Sequence, residues 1–455
     1  MVVRSPMRSL RLGVVLLVLV CASTSCVSTP KPLPKATVAP KAPIEFIEDD
    51  YARALAEARS TKRPMVIDAW APWCHTCLSM RAYVFNDPAL STIAAKFVWL
   101  SIDTEKHDNA AFLERYPIAA WPTIWVVDSA RETPVLKWEA SATSAELITL
   151  LEDASEAIDH GGDVTPATAS LLRGEAAAAV GKHDEALIEL RAALASAPEG
   201  WPRRATLVDA LTRELQLTKD FRGCVSLAVH ELPDLPAGTA RAMVALAGLA
   251  CGRTLPKNDP LKQEVPVIAN LVSRMAGDRS EQLLADDRSS LYEELVDFRR
   301  ETGDLAGSKM AARAWASFLE DEAAHATTKE GRAVFDAHRL SAYIALGQVE
   351  KAIPMLKESE ADFPADYNPP ARLARADLEL GLVDDALAAI DRALAKAYGP
   401  RKLRIYALKA DILDAKGDKS AAKVTLQEAV KLGESMSLTG GYGKLLDELK
   451  KRLGA

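Results

Sequence analysis

The segment Val66-Ile67-Asp68-Ala69-Trp70-Ala71-Pro72-Trp73-Cys74-His75-Thr76-Cys77 constrains this chain more than any other. Its apolar first half reads as a strand, Pro72 ends the hydrogen-bond ladder, and Cys74 falls where a following helix begins. A thiol at a helix start meets unpaired backbone N–H groups and the positive end of the helix dipole, and both favour the thiolate. Because the thiolate is the nucleophile, Cys74 is the attacking sulfur, and Cys77, one turn further in, is the resolving thiol that closes the ring. Three other uses of the pair compete. Half of a zinc site needs a second pair of ligands, and the chain has no other Cys-x-x-Cys and no His-x-x-x-His. Inert buried cysteines fit poorly with Pro-Trp-Cys-His-Thr-Cys at a strand end, and so short a ring suits exchange better than bracing. The reading is a redox-active dithiol with no metal and no cofactor.

The neighbours of the pair bear on that chemistry. Asp68 sits within the apolar strand, where an unpaired carboxylate is costly, so its pKa is expected to rise and it could take the Cys77 proton through a water. The plainer alternative is an Asp at a bulge paired with a Lys. His75, beside Cys74, would stabilise the thiolate when protonated; otherwise it is a solvated ring that, with Thr76, modulates the potential. Trp70, Trp73 and Trp121 read as packing and substrate-surface residues, a flat apolar platform around the dithiol. His107, His160, His183, His230, His325 and His338 are dispersed, suggest no metal site, and read as surface residues.

Val66 to Cys77 resembles the active-site strand of the thioredoxin family, in which an Asp precedes a Trp-Ala-x-Trp-Cys-x-x-Cys run. Ala120-Trp121-Pro122-Thr123 and the apolar run Ile124 to Val127 resemble the family's cis-proline loop and the strand after it. Tyr83-Val84-Phe85-Asn86-Asp87-Pro88 is more similar to the thioredoxin-like domains of periplasmic disulfide reductants than to cytosolic thioredoxin. The resemblance covers residues 44–160. It implies an α/β thioredoxin-like domain, with Cys74 as nucleophile, Cys77 as resolving thiol, Asp68 as the buried acid beneath them, and Pro122 as the cis-proline facing the dithiol. It also implies a thiol-disulfide oxidoreductase, reductive in direction, with a protein thiol or disulfide client and an upstream membrane electron donor or thiol partner. His75-Thr76 stands where thioredoxin has Gly-Pro, so the family's reduction potential does not carry over.

At the start of the chain, Arg4, Arg8 and Arg11 precede the apolar run Leu12 to Val20 and the small residues Ala22 to Ser25, the pattern of a secretory signal. The apolar core is about half the ~20 residues of a membrane-spanning helix. Ser23-Thr24-Ser25-Cys26 resembles a bacterial lipoprotein box without its usual Leu, and lipidation at Cys26 is favoured over cleavage near Val20-Cys21-Ala22. This predicts residues 1–26 as a signal, and a periplasm-facing location in the bacterial cell envelope, bound to the membrane by a lipid anchor; a soluble periplasmic protein is the alternative. Residues 27–43, rich in Pro, Lys and Thr, read as a semi-rigid linker.

Within residues 44–160, a first helix is expected over Glu45 to Arg59, followed by a β-α-β-α-β-β-α core with strands near Pro64–Trp70, Phe97–Ile102, Thr123–Val127 and Pro134–Trp138. Thr143-Ser144-Ala145-Glu146 is a capping box opening the last helix, Ala145 to Ile158. His160-Gly161-Gly162-Asp163 marks a domain boundary. Over residues 161–455 nearly everything reads as helical. Gly181, Ala186, Leu187, Leu190, Ala193, Leu194 and Pro198 resemble the second half of a tetratricopeptide repeat. The pattern returns from Gly347, Gly381 and Gly417, whose spacings of 34 and 36 residues suit helix-turn-helix units. Weaker copies start near Arg203 and Ser290, while Arg253 to Asp287 is too rich in Pro and charge to assign. Stacked units bury one another's apolar faces, so an all-α solenoid is expected, offering a surface to a protein partner. Cys224 and Cys251 lie nearly symmetrically about the turn Pro233 to Gly238 between two helices, and are expected to form a structural disulfide in an oxidising compartment.

A length of 455 residues requires more than one core, and a net charge of −7 with both signs interspersed gives no basic face for nucleic acid. Two function classes remain: an oxidoreductase whose repeats dock a client or redox partner, and an envelope assembly factor whose thioredoxin-like fold is a docking platform.

Overall fold

Strand β2, Met65–Trp70, is apolar on both faces, which only a strand covered on both sides tolerates. A computed structural model makes it the centre of a five-stranded sheet of order β1-β3-β2-β4-β5. The structure describes residues 44–454 except 119, 160–164, 437 and 439. The signal, Cys26, the linker and the boundary at His160 to Asp163 lie outside the described residues. The other strands are β1 (Phe46–Glu48), β3 (Val98–Asp103), β4 (Thr123–Asp128) and β5 (Thr133–Trp138). β3 runs parallel to both β1 and β2, whereas β4 is antiparallel to both β2 and β5.

The helix expected over Glu45 to Arg59 is divided in two. Phe46 belongs to β1, where it sits opposite Trp99 and packs edge-on against Phe85 and Trp99. Asp49 turns the chain at φ 55°, and Asp50 caps helix α1 (Tyr51–Thr61) by accepting from the Arg53 N–H at 2.9 Å. The helical spacing of Phe46 and Tyr51 misled because an aromatic at the start of a three-residue edge strand looks the same to periodicity.

Helix α2 (His75–Ser79) continues into a wide turn, Met80–Val84; α3 (Ser91–Ala94), α4 (Ala110–Arg115) and α5 (Ser144–Asp159) follow. Alternation along the strands divides the core. Val66, Trp99, Ile124 and Val126 pack with Met80, Val84, Leu147 and Leu151 on one face. Met65, Ile67, Leu100 and Trp125 pack with Ala54, Ala58 and Phe112 on the other.

Antiparallel helix pairs make up the rest: α6 (Pro166–Ala179) with α7 (His183–Ser196), α8 (Arg204–Leu217) with α9 (Phe221–Glu231), and α10 (Thr239–Thr254) with α11 (Val265–Gly277). Then come α12 (Ala285–Glu301) with α13 (Leu305–His325), the short α14 (Lys329–Ala333), and α15 (Asp336–Leu346) with α16 (Ala352–Asp362). The last are α17 (Asn368–Glu379) with α18 (Val383–Lys396), α19 (Lys402–Lys416) with α20 (Lys419–Glu434), and α21 (Gly440–Leu453). The stretch Arg253 to Asp287, unassigned from sequence, is the end of α10, all of α11 and the start of α12. Gly347 and Gly417 make the turns within their pairs at φ 68° and 85°, backbone that a side chain disfavours. Across α9 and α10, Cys224 and Cys251 form a disulfide with Cα atoms 6.3 Å apart and no solvent exposure. Sheet and solenoid share one compact unit rather than sitting as beads on a string.

Candidate redox site

The turn after β2 carries both sulfurs to the start of α2. Cys74 has extended backbone and is the N-cap: the Cys77 N–H donates to its Sγ at 3.0 Å, in the place where a capping hydroxyl would accept. A thiolate there has a backbone donor and the dipole of the helix start. The two cysteines stand as a disulfide with Cα atoms 5.2 Å apart, and Cys74 is only 4% exposed. Trp70, Trp73 and Trp121 surround them, the last two meeting edge to face at 5.1 Å. The Trp121–Pro122 bond is cis, and Trp121 Nε1 donates to Thr104 Oγ1 at 2.8 Å.

Asp68 is buried in β2 with neither carboxylate oxygen hydrogen-bonded among the described residues. Arg81 Nε stands 3.6 Å away, beyond hydrogen-bond range, with its guanidinium over the Trp70 ring. Burial pushes the Asp68 pKa up to about 6, with Arg81 opposing. The cation beside it is therefore this arginine and not the lysine of the plainer alternative.

The repeat helices supply what the sequence did not show. His75 Nδ1 lies 2.8 and 2.9 Å from the two oxygens of Asp286 on α12, and Thr76 Oγ1 donates to Asp286 Oδ2 at 2.6 Å. One buried carboxylate thus holds both residues between the cysteines. His75 Nε2 faces His338 Nε2 of α15 at 3.0 Å. His338 Nδ1 pairs with Ser289 Oγ, which also accepts from Trp315 Nε1 at 2.6 Å. His75 is accordingly no freely solvated ring, and His338, expected at the surface, is 4% exposed inside the fold. Expected dispersal of the histidines fails here because the solenoid curves back onto the dithiol. Among the described residues, His75, Asp286 and His338 are the group whose donor atoms, within 4.8 Å of one another, could hold a cation. Each of those atoms already has a hydrogen-bond partner in the network, so its geometry is complete with protons alone.

Charges follow from the surroundings. Burial disfavours an imidazolium at His75, yet Asp286 outweighs it and the His75 pKa is raised. Burial likewise works against the Asp286 carboxylate, but His75 holds it down to about 2. His338 is driven down to about 3 by burial and by the neighbouring His75 charge, so it stays neutral.

Further contacts pin the active-site loops. Asn368 Nδ2 donates to the Pro72 carbonyl at 3.0 Å, and Tyr398 Oη to Asp103 Oδ2 at 2.6 Å. Buried Glu105 accepts from Trp73 Nε1 at 2.7 Å, from the Arg401 N–H at 2.6 Å and from Tyr442 Oη at 2.8 Å. The Arg401 guanidinium covers the Trp73 ring at 4.7 Å. Trp73 is thus packed beneath the repeats and is not a free platform for substrate. Sequence reasoning missed Asp286, His338, Glu105 and Arg401; the only local signal was a pair of adjacent acids, Asp286-Asp287, in a stretch left unassigned.

Three buried acids set a pH dependence. Burial raises Asp68 to about 6 and Glu175 and Asp287 to about 7, the last with help from the adjacent Asp286 charge. A carboxyl that holds its proton more tightly folded than unfolded contributes stability that is complete below its unfolded pKa near 4 and lost as pH rises through the folded value. The melting temperature is therefore expected to fall by several degrees between pH 5 and pH 8. Glu175→Gln combined with Asp287→Asn should flatten that slope; thermal scans showing the same slope in both proteins would refute it.

Family models match both parts of the chain. A family model described as thioredoxin-like matches residues 46–129, and tetratricopeptide repeat models match residues 343–412 and 403–434. The chain is 32% identical over 82 residues to the thiol:disulfide interchange protein DsbD of Pseudoalteromonas atlantica, which is 18% of this chain and 14% of that protein. It is 30% identical over 82 residues to the protein of the same name from Escherichia coli strain K12, again 18% and 14% of the two chains. The match thus spans only 14% of the length of either relative. A solved tetratricopeptide repeat protein from Parabacteroides merdae overlaps 64% of this chain and 99% of its own at 13% identity, with a TM-score of 0.41. The chain carries a thioredoxin-like domain followed by tetratricopeptide repeats.

Proposed function

We propose that this protein is a thiol-disulfide oxidoreductase of the bacterial cell envelope, exported, lipid-anchored through Cys26 and working in the reductive direction. The observation that carries the activity is Cys74 as N-cap of α2, its Sγ accepting the Cys77 N–H in a thioredoxin-like sheet. Export rests on the arginines and apolar run at the chain start, and the reductive direction on Asp68 beneath the pair and the reductant-like stretch Tyr83 to Pro88.

In the reaction, the Cys74 thiolate attacks one sulfur of a client disulfide, forming a mixed disulfide and releasing the other client sulfur, which takes up a proton. Cys77 then loses its proton and attacks Cys74 Sγ, forming the Cys74–Cys77 disulfide and releasing the second client thiol. Two electrons pass to the client, and an upstream thiol partner returns them. Asp68, ionised above about pH 6, is the base assigned to Cys77. Asp68→Asn is expected to slow mixed-disulfide release roughly 10–100-fold at pH 7.5 without slowing its formation. Stopped-flow tryptophan fluorescence would separate the steps, and equal slowing of both would remove Asp68 from this role.

Insulin reduction coupled to a thiol donor tests the activity, and radiolabelled palmitate incorporation that disappears in Cys26→Ser tests the anchor. No reduction by the reduced protein, with unmodified Cys26, would leave neither claim standing. A second reading has one observation in its favour: Cys74 is only 4% exposed. In that reading the protein is an assembly factor whose thioredoxin-like fold docks its own repeats.

A further inference from the structure

We infer that Asp286, on helix α12 of the repeat region, is a positioning residue of the redox site, fixing the charge and orientation of His75 and thereby the stability of the reduced dithiol. The inference deepens the proposed activity and rests on Cys74 and Cys77 being a cycling pair.

The argument begins with geometry. Asp286 is 1% exposed and spends its oxygens on the two residues between the cysteines, His75 at 2.8 Å and Thr76 at 2.6 Å. A buried carboxylate is tolerated when it is paired and hydrogen-bonded, and here both conditions are met by the redox motif itself. The other ring nitrogen of His75 meets His338 Nε2 at 3.0 Å. An imidazolium at His75 makes every partner in the chain consistent. Nδ1–H donates to Asp286, Nε2–H donates to the His338 lone pair, and His338 Nδ1–H donates to Ser289 Oγ, where the Trp315 N–H also ends. The groups that act on His75 are Asp286 and Glu293 from α12, His338 from α15 and Arg372 from α17; Asp287 beside them holds its proton up to about pH 7. Arg372 opposes a charge at His75 and Glu293 favours it, which leaves Asp286 as the principal support.

A positive charge on the residue next to Cys74 stabilises the thiolate, and only the reduced state has a thiolate to stabilise. Without the Asp286 charge, burial would leave His75 neutral near pH 7, the Cys74 pKa would rise, and the disulfide would be the more favoured state. Electron balance gives a sharper consequence. Reduction adds two electrons; it takes up two protons if both thiols form, and one if Cys74 remains a thiolate. The equilibrium constant for reduction then changes a hundredfold per pH unit in the first case and tenfold in the second.

The test is the redox equilibrium of the full chain against glutathione buffers from pH 6 to 8, read by thiol alkylation and mass shift with EDTA present. For Asp286→Asn we expect the constant for reduction at pH 7 to fall about tenfold, equivalent to about 30 mV. Expressed as the half-reaction, after allowing for the two protons that glutathione releases on oxidation, its pH dependence should steepen from tenfold towards a hundredfold per unit. Thr76→Val, which removes a bond to Asp286 but leaves the charge, should shift the constant less than Asp286→Asn and leave its pH dependence at tenfold per unit. Adding Asp286→Asn to His75→Gln should change nothing further, because Asp286 acts through His75. If Asp286→Asn does not fold, His338→Gln carries the test, with a smaller fall of the same sign and the same steepening. An unchanged constant and slope, equal effects of Thr76→Val and Asp286→Asn, or full additivity with His75→Gln would each overturn the inference. Because this equilibrium exists whether or not a client is reduced, a shifted constant in a protein inactive on insulin would sink the proposed activity alone. An unshifted constant in an active protein would sink the role of Asp286 alone.

Discussion

Cys74→Ser is expected to lower disulfide reduction by roughly 10³-fold or more, while Cys77→Ser leaves the first attack intact and accumulates client bound covalently to Cys74. The asymmetry follows from the cap. Cys74 Sγ receives the Cys77 N–H at 3.0 Å and sits at the helix start, whereas Cys77 lies inside the first turn at 1% exposure. A thiol so placed lacks the cap that stabilises a thiolate, but its neighbour's sulfur is within reach once Cys74 is in mixed disulfide. Non-reducing gels of cells expressing each variant, with mass spectrometry of the trapped species, provide the measurement. Equal trapping by both variants would reverse or cancel the assignment of roles. The same experiment addresses the repeats, since captured clients identify the partner class that the helical surface admits.

The second large effect concerns stability. Replacing both Cys224 and Cys251 by Ala is expected to lower unfolding free energy by roughly 2–4 kcal/mol, the range for cross-links closing loops of this length. The bridge joins residues 27 apart in sequence across α9 and α10. Both ends belong to the core shared by Val225, Ala228, Val244 and Leu249, so alanine adds a small cavity to the loss of the cross-link. In an array where each pair of helices leans on its neighbours, the effect should appear first as faster hydrogen exchange in α8 to α11. Urea unfolding unchanged by the double substitution would show that the bridge braces nothing. The contrast with Cys74→Ser is informative, because a pair that cycles is expected to leave the folded state nearly as stable in either redox form.

Much of this protein is local, and what is local was legible. A strand that is apolar on both faces, a proline, and a cysteine at a helix start are decided within a dozen residues. So the placement of Cys74 and Cys77 could be read without a structure. The repeats were legible for a related reason: each helix pair needs a glycine turn and small residues at fixed offsets, and Gly347, Gly381 and Gly417 recur at nearly constant spacing. The short strand at Phe46 was not, because an edge strand of three residues has too few positions to show a period of two.

The tertiary structure alone decided how the two parts join. Asp286 is 211 residues from His75, and His338 is 263 residues from it. Periodicity reports which face of a helix is buried, but it carries nothing about which distant helix covers that face. The curvature of the solenoid accumulates from small rotations at each helix pair, and the sum brings α12, α15, α17 and the turn at Gly399 onto the active-site loops. At Gly399, φ is 62° and an added Cβ would stand 2.2 Å from the Glu105 carbonyl oxygen, a contact that no pattern within the repeats requires. By itself the sequence determined the Cys74–Cys77 pair and its place at a helix start, because those depend on bonds and hydrogen bonds made within a single turn. The charge on His75 and the company of Trp73 depend on electrostatics and packing across the domain contact, and these exist only when the chain has closed on itself.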